Sequence, residues 1–296
     1  MIGIDVGGTR IKLGAVEGAR VVRKVAIETP RHASPDTFFD ALATAVRAFD
    51  PSPAEIGMAI PGEVDAQGKC VRLPNIPGFE GVAMAAELER RTGARVAVEN
   101  DGTAAVHAES LFGHGKEYPS LLIVTLGTGI GGGLVIDRRL VRGSHGFGGE
   151  IGHVTVDSAP DARECACGNR GCLEAYAGTR GILARYFESG GLPTTSIREV
   201  AGSARRGERP GVLAFESMTR ALAIALNSIQ NVLDLDAIVF TGGVSRSVDL
   251  IVPGIRAELE KRAFAKVLGE VPLLESELGE DAGVVGAAHL PRLLDG

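Results

Sequence analysis

IGIDVGGTRIKLGAV, residues 2–16, sets two short apolar or alternating runs, Ile2–Val6 and Ile11–Val16, on either side of Gly7-Gly8-Thr9. Apolar alternation interrupted by a Gly-Gly pair is the pattern of a β-hairpin. Glycines at the turn also let a ligand approach the backbone N–H groups. The chain repeats the arrangement with LLIVTL at 121–126, GTGIGGG at 127–133 and LVID at 134–137. A third glycine turn, Thr241-Gly242-Gly243-Val244-Ser245, follows the apolar run Ala237–Phe240 and leads into a helix.

Gly127-Thr128-Gly129-Ile130-Gly131-Gly132 fits the spacing of a dinucleotide fingerprint, but that motif has to open a helix after its strand. Here a strand follows, so the expectation is a hairpin whose exposed amides cradle phosphate oxygens. One such turn is ordinary; two of them plus the 241–245 turn point to a nucleotide. Asp5, at a strand end beside the first turn, reads either as a turn hydrogen-bond acceptor or as a carboxylate holding Mg²⁺ through water.

Between these turns the pattern alternates strand and helix. A strand is predicted over 21–27, and a helix over 35–49 with Ser34 as N-cap. Strands at 56–60 and 96–98 flank a helix over 82–91 closed by Gly93. A helix from Gly102 to Leu111, another over 213–233 and a last one over 282–294 complete the reading. The fold class is α/β, with a boundary near residue 103, a smaller unit of residues 1–103 plus 282–296, and a larger one of 104–281.

Composition narrows the function. A formal charge of −6 argues against nucleic acid as the main partner. No apolar run of membrane-spanning length and no basic leader stand out, so the chain is read as cytoplasmic, with no membrane partner. The 41 glycines suit tight turns and close backbone approach.

Three of the four cysteines fall within eight positions, Cys165, Cys167 and Cys172, downstream of His153. Three thiolates and an imidazole make a structural zinc set. A disulfide is poorly served by cysteines two apart and an odd number of them in a reducing compartment. Gly168 and Gly171 let the loop fold back on itself. Packing thiols are the alternative reading of the cluster, and the expected reading of the lone Cys70. Glu99-Asn100-Asp101 ends a strand and opens a helix, where Asn and Asp are ordinary N-caps.

Asp5-x-Gly7-Gly8-Thr9, the 127–133 turn and Thr241-Gly242-Gly243 resemble the phosphate and adenosine loops of the sugar kinase–actin–heat-shock chaperone superfamily. Gly149-Glu150-Ile151-Gly152-His153 followed by Cys165-Ala166-Cys167-Gly168-Asn169-Arg170-Gly171-Cys172-Leu173-Glu174 resembles the paired signature of the ROK family. The resemblance implies two ribonuclease-H-like, actin-like α/β domains flanking a nucleotide and sugar cleft, with a zinc loop buttressing the sugar. It implies ATP, Mg²⁺ and structural Zn²⁺ as cofactors, and transfer of a phosphoryl group to the primary hydroxyl of a hexose.

On this resemblance Asp101 is the catalytic base. Gly62, Asn75, Asn100, Asp101, Glu150, His153 and Glu174 contact the sugar. Asp5, Gly7, Gly8, Thr9, Gly127, Thr128, Gly129, Gly131, Gly242 and Gly243 hold the nucleotide. His153, Cys165, Cys167 and Cys172 bind the metal. Glucose is the expected sugar, with N-acetylmannosamine or N-acetylglucosamine as the alternative. A sugar-responsive regulator is the non-enzymatic option; only four residues precede Asp5, which leaves no room for a helix-turn-helix. A homodimer or homotetramer is implied. Glu164 is expected to face solvent, and Arg10 and Lys12 to be solvated hairpin side chains. Phe79 stands where many members carry Trp, Asp101-Gly102-Thr103 replaces Asp-Ala-Asn, and Asp137-Arg138-Arg139 replaces Asp-Gly-Lys.

Overall fold

The hairpin that opens the chain is formed by β1 (Ile2–Val6) and β2 (Arg10–Glu17), antiparallel with Asp5 opposite Lys12. A computed structural model describes residues 1–65, 67–73 and 76–293. β3 (Arg20–Glu28) extends the hairpin at an exposed edge. β4 (Glu55–Ile60) is buried from Ile56 onward, as befits a parallel strand inside a sheet. β5 (Glu63–Val64) and β6 (Cys70–Arg72) form a small separate hairpin. β7 (Arg95–Asn100) closes a five-stranded sheet of order β3-β2-β1-β4-β7, with β1, β4 and β7 parallel.

These elements belong to a unit comprising Met1–Glu117, Leu140–Gly148 and the chain from Glu277 onward. Helix Pro35–Phe49 starts where Ser34 Oγ accepts the Thr37 N–H at 3.3 Å. It buries Phe38, Phe39, Leu42, Val46 and Phe49. Phe79 is fully buried in edge contact with Phe38, ring centroids 5.0 Å apart, so in this chain it is core. Helix Met84–Thr92 ends on Gly93 in the left-handed conformation.

Helices Asp101–Phe112 and Ala282–Leu293 cover the other face. Glycine makes this packing possible. A Cβ on Gly57 would lie 1.6 Å from the Ala287 carbonyl oxygen, and one on Gly286 would lie 1.7 Å from that of Ala104.

The second unit, Tyr118–Arg139 with Gly149–Ser276, repeats the plan. β8 (Leu121–Leu126) pairs antiparallel with β9 (Ile130–Ile136), and the edge strand β10 (Arg139–Leu140) follows. β11 (Ala237–Thr241) and β12 (Leu273–Glu275) add in parallel, giving the order β10-β9-β8-β11-β12. The two hairpins therefore occupy the same place in two sheets of the same order. Both turns are three residues long, Gly7-Gly8-Thr9 and Gly127-Thr128-Gly129. The second strand begins earlier than its sequence suggests, because Gly131, Gly132 and Gly133 lie within β9. A Cβ on Gly132 would stand 2.8 Å from the Gly149 carbonyl oxygen, so the returning loop requires glycine there. Asp137 and Arg138 both adopt left-handed backbone, φ 50° and 65°, where the Gly of the common turn would be less strained.

Helix Arg209–Leu233 is long and apolar enough by length and composition to cross a membrane, which the sequence reading did not anticipate. Its Ala214, Phe215, Met218, Leu222 and Leu226 are buried with Ile182, Val200 and Ile255, the arrangement of a core helix. The 241–245 turn passes through a short 3₁₀ turn, Ser245–Ser247, before helix Val248–Arg262.

Replacing Gly57 by Ala should lower unfolding free energy by roughly 2–3 kcal/mol, as the Ala282–Leu293 helix is pushed off the sheet. Urea denaturation checks this, and an unchanged midpoint would mean that the helix does not pack there.

Candidate functional site

In the first unit the turn between β1 and β2 is held from behind. The Gly7 N–H donates to the Arg10 carbonyl at 2.9 Å, and Thr29 Oγ1 donates to the Gly7 carbonyl at 2.7 Å. The Gly8 and Thr9 N–H groups have no protein acceptor among the described residues. Asp5 sits one residue before the end of β1, with Lys12 Nζ 3.4 Å from its carboxylate. Lys12 is therefore an ion-pair partner of Asp5, and only Arg10 matches the expectation of an exposed hairpin side chain. A Cβ on Gly283 would fall 3.2 Å from that carboxylate, so Asp5 faces the first turn of the Ala282–Leu293 helix. A carboxylate is favoured at a helix N-terminus.

Asn100 caps the Asp101–Phe112 helix: its Oδ1 accepts the Thr103 N–H at 3.1 Å. Its Nδ2 donates to the Gly62 carbonyl at 2.8 Å. One side-chain N–H and one oxygen lone pair remain for a ligand. Capping thus does not exhaust Asn100. The Asp101 carboxylate accepts the Gly102 N–H at 2.8 Å and stands in the first helical turn. Gly62 has no room for a side chain, since a Cβ would meet the Arg72 carbonyl oxygen at 2.3 Å. Asn75 lies outside the described residues.

Glu99, next to Asn100, is 2% exposed, and its carboxylate lies 2.7 Å from an Arg142 guanidinium nitrogen. Burial pushes the Glu99 carboxyl up from its ordinary range, while the Asn100 amide and Arg142 pull it back. Nothing in the sequence marks Arg142, an arginine in a glycine-rich loop, as this partner.

In the second unit the turn between β8 and β9 is built like the first. The Gly127 N–H donates to the Gly129 carbonyl at 3.0 Å, and Thr179 Oγ1 donates to the Gly127 carbonyl at 2.9 Å. The Ile130 N–H donates to Glu174 Oε2 at 2.9 Å. The Thr128 and Gly129 N–H groups have no protein acceptor among the described residues. Gly131 follows inside β9, and a Cβ there would meet Thr125 only at ordinary contact distance, 3.6 Å. Gly242, at φ 93°, has its Cα against Leu126, where a Cβ would lie 2.5 Å from the carbonyl oxygen. Gly243 is exposed beside it, open to a ligand.

The segment 149–178 gathers the cysteines. His153 Nδ1 lies 3.8 Å from Cys165 Sγ, and Cys167 Sγ lies 3.7 Å from Cys172 Sγ. All four donor atoms fall within 4.8 Å of one another. Thiolates at about 2.3 Å from a tetrahedral zinc ion stand roughly 3.7 Å apart, so the quartet could hold Zn²⁺. Gly168 and Gly171, both at positive φ, fold the loop back. Burial and the neighbouring thiols push Cys172 up to about 12, and burial raises Cys165. The Asn169 backbone N–H lowers Cys167. A bound cation would oppose the two upward shifts and reinforce the downward one, by stabilising all three thiolates.

Nδ1 of His153 faces the sulfurs, and Nε2 lies 3.9 Å from the Glu150 carboxylate, turned away from the quartet. Glu164 is exposed and paired with Arg170. Cys70 is buried, its thiol pushed up to about 11 by desolvation, as a packing residue should be.

The model of the ROK family matches residues 1–292, and the chain belongs to the ROK family. It is 32% identical to a glucokinase of Thermotoga maritima, covering 98% of this chain and 96% of that protein. It is equally 32% identical to an N-acetyl-D-glucosamine kinase of Vibrio cholerae, over 97% and 98% of the two chains. Its fold matches the crystal structure of a ROK family glucokinase from Streptomyces griseus in complex with glucose and AMPPNP, with TM-score 0.80, 30% identity and 98% of each chain covered. Fold and relatives together support a sugar kinase.

Replacing Arg142 by Met leaves Glu99 buried without its countercharge and should cost about 3 kcal/mol of stability. Adding Glu99→Gln to that variant should recover much of the loss. Equal stabilities of the wild type and Arg142→Met in urea would show that the pair contributes nothing.

Proposed function

We propose that the chain is an ATP-dependent hexose kinase acting on a primary hydroxyl, with glucose as its sugar. The observation that carries this reading is the pair of matched turns. Each is three residues long and offers two unspent amides, and amides presented in this way bind phosphate oxygens. Asp5 would hold Mg²⁺ through water, and that ion would neutralise charge on the transferred phosphoryl group.

Asp101 accepts the proton of the attacking hydroxyl. Its carboxylate stands in the first turn of the helix, where negative charge is favoured. A loose phosphoryl-transfer transition state asks little of the base until late, so positioning carries most of the rate. Asn100 offers its remaining amide N–H to the sugar, and Gly62 offers its backbone. Glu150 and Glu174 receive sugar hydroxyls, and His153 donates from Nε2 once Nδ1 is committed to a metal. A site that hydrogen-bonds each hydroxyl rejects sugars lacking one far better than an apolar pocket does.

The N-acetyl-D-glucosamine kinase relative supports a second reading, in which the same residues serve a sugar with an N-acetyl group. An ADP-release assay with glucose, mannose, fructose, both N-acetylated sugars and no sugar separates the two. Glucose should turn over fastest; preference for an N-acetylated sugar would establish the second reading, and silence across the panel would remove both. Asp101→Asn should lower kcat by about 10²–10⁴-fold while sugar binding persists. Near-wild-type turnover in that variant would exclude Asp101 as the base.

A further inference from the structure

Each hairpin turn is gripped by a threonine from outside the hairpin, and neither threonine belongs to a glycine motif. Thr29, 8% exposed, follows β3; its Oγ1 donates to the Gly7 carbonyl at 2.7 Å and its N–H to the Thr9 carbonyl at 3.0 Å. Thr179 opens helix Thr179–Glu188; its Oγ1 donates to the Gly127 carbonyl at 2.9 Å. Its N–H lies 3.2 Å from both the Gly127 and the Thr128 carbonyls. Gly7 and Gly127 are the first residues of their turns, so the contact falls at the same position in both units.

This contact fixes where the next amide points. In a trans peptide the carbonyl of one residue and the N–H of the next project in opposite directions, and no cis peptide bond is present among the described residues. Holding the Gly7 carbonyl back toward Thr29 therefore turns the Gly8 N–H outward. Holding the Gly127 and Thr128 carbonyls toward Thr179 turns the Thr128 and Gly129 N–H groups outward. Gly8, Thr128 and Gly129 are among the residues whose N–H groups have no protein acceptor among the described residues. On the second turn Glu174 adds a further hold through the Ile130 N–H.

We infer that Thr29 and Thr179 are positioning residues of matching kind, each of which aims the amides of its own turn at phosphate oxygens of a nucleotide. This rests on the kinase reading above, since it assigns the outward amides to a phosphate ligand. Preorganised donors cost nothing to orient when the ligand arrives, so losing a clamp should appear in nucleotide affinity and not in sugar affinity.

The test is calorimetric titration of AMPPNP with Mg²⁺, without sugar, into the wild type and four variants: Thr29→Val, Thr29→Ser, Thr179→Val and Thr179→Ser. Glucose is titrated separately. Valine keeps the shape and removes the donor; serine keeps the donor. Each valine variant should bind AMPPNP roughly threefold to tenfold more weakly, the loss of one hydrogen bond. Each serine variant should match the wild type, and glucose affinity should stay unchanged throughout. Valine variants that bind AMPPNP like the wild type would overturn the inference while leaving the kinase reading intact. So would equal losses of AMPPNP and glucose affinity, which would report general damage. A wild type that does not bind AMPPNP would remove the kinase reading and this inference with it.

Discussion

Four donor atoms, one ring nitrogen of His153 and three sulfurs, lie within 4.8 Å of one another, and the residues around them hang on the loop that gathers them. His153 ends a 3₁₀ turn, and the loop that carries the three cysteines, 154–172, contains no helix and no named strand and is rich in small and charged residues. Such a segment buries too little apolar surface to offset its own ordering entropy. A cation shared by four ligands would supply that free energy directly. The chain after the cysteines carries such order straight to the neighbouring turn. Two residues after Cys172, Glu174 reaches the Ile130 N–H, and five residues later Thr179 reaches the Gly127 carbonyl. At the other end, His153 turns Nε2 toward Glu150. The metal loop thus braces the second glycine turn and two of the carboxylates assigned to the sugar.

Among its described residues the first unit has no such loop, and it reaches a similar turn by ordinary packing. Its hairpin lies in a sheet whose other face is pressed against helix Ala282–Leu293 through bare glycines. The two sheets share strand order, hairpin position, turn length and a threonine behind the first turn residue. Backbone geometry matches where most residue identities differ. A phosphate-binding turn demands carbonyls held back and amides held out, and few side chains are needed to do that.

Much of this was legible in the residues. Ser34 followed by the apolar spacing of Pro35–Phe49 marked that helix, and Gly93 marked the end of another. The cysteine and histidine spacing announced a metal site, and the structure brings those donors together. What stayed hidden depends on tertiary contacts. Gly131, Gly132 and Gly133 look like turn residues because glycine is a poor strand former, yet pairing with β8 draws them into β9. Lys12 becomes the partner of Asp5 only through the hairpin register. Arg142, Thr29 and Thr179 carry no local signal, since each meets its partner across at least 20 residues of chain. The apolar length of Arg209–Leu233 became interpretable once its stripe was seen inside a core.

The dependence on the metal loop is tested most directly by measuring metal content together with the zinc-edge absorption spectrum of the purified chain. The account predicts one zinc ion per chain, with three sulfur neighbours and one nitrogen at distances typical of tetrahedral sites. A fully folded chain that binds AMPPNP and glucose while holding no metal would contradict it.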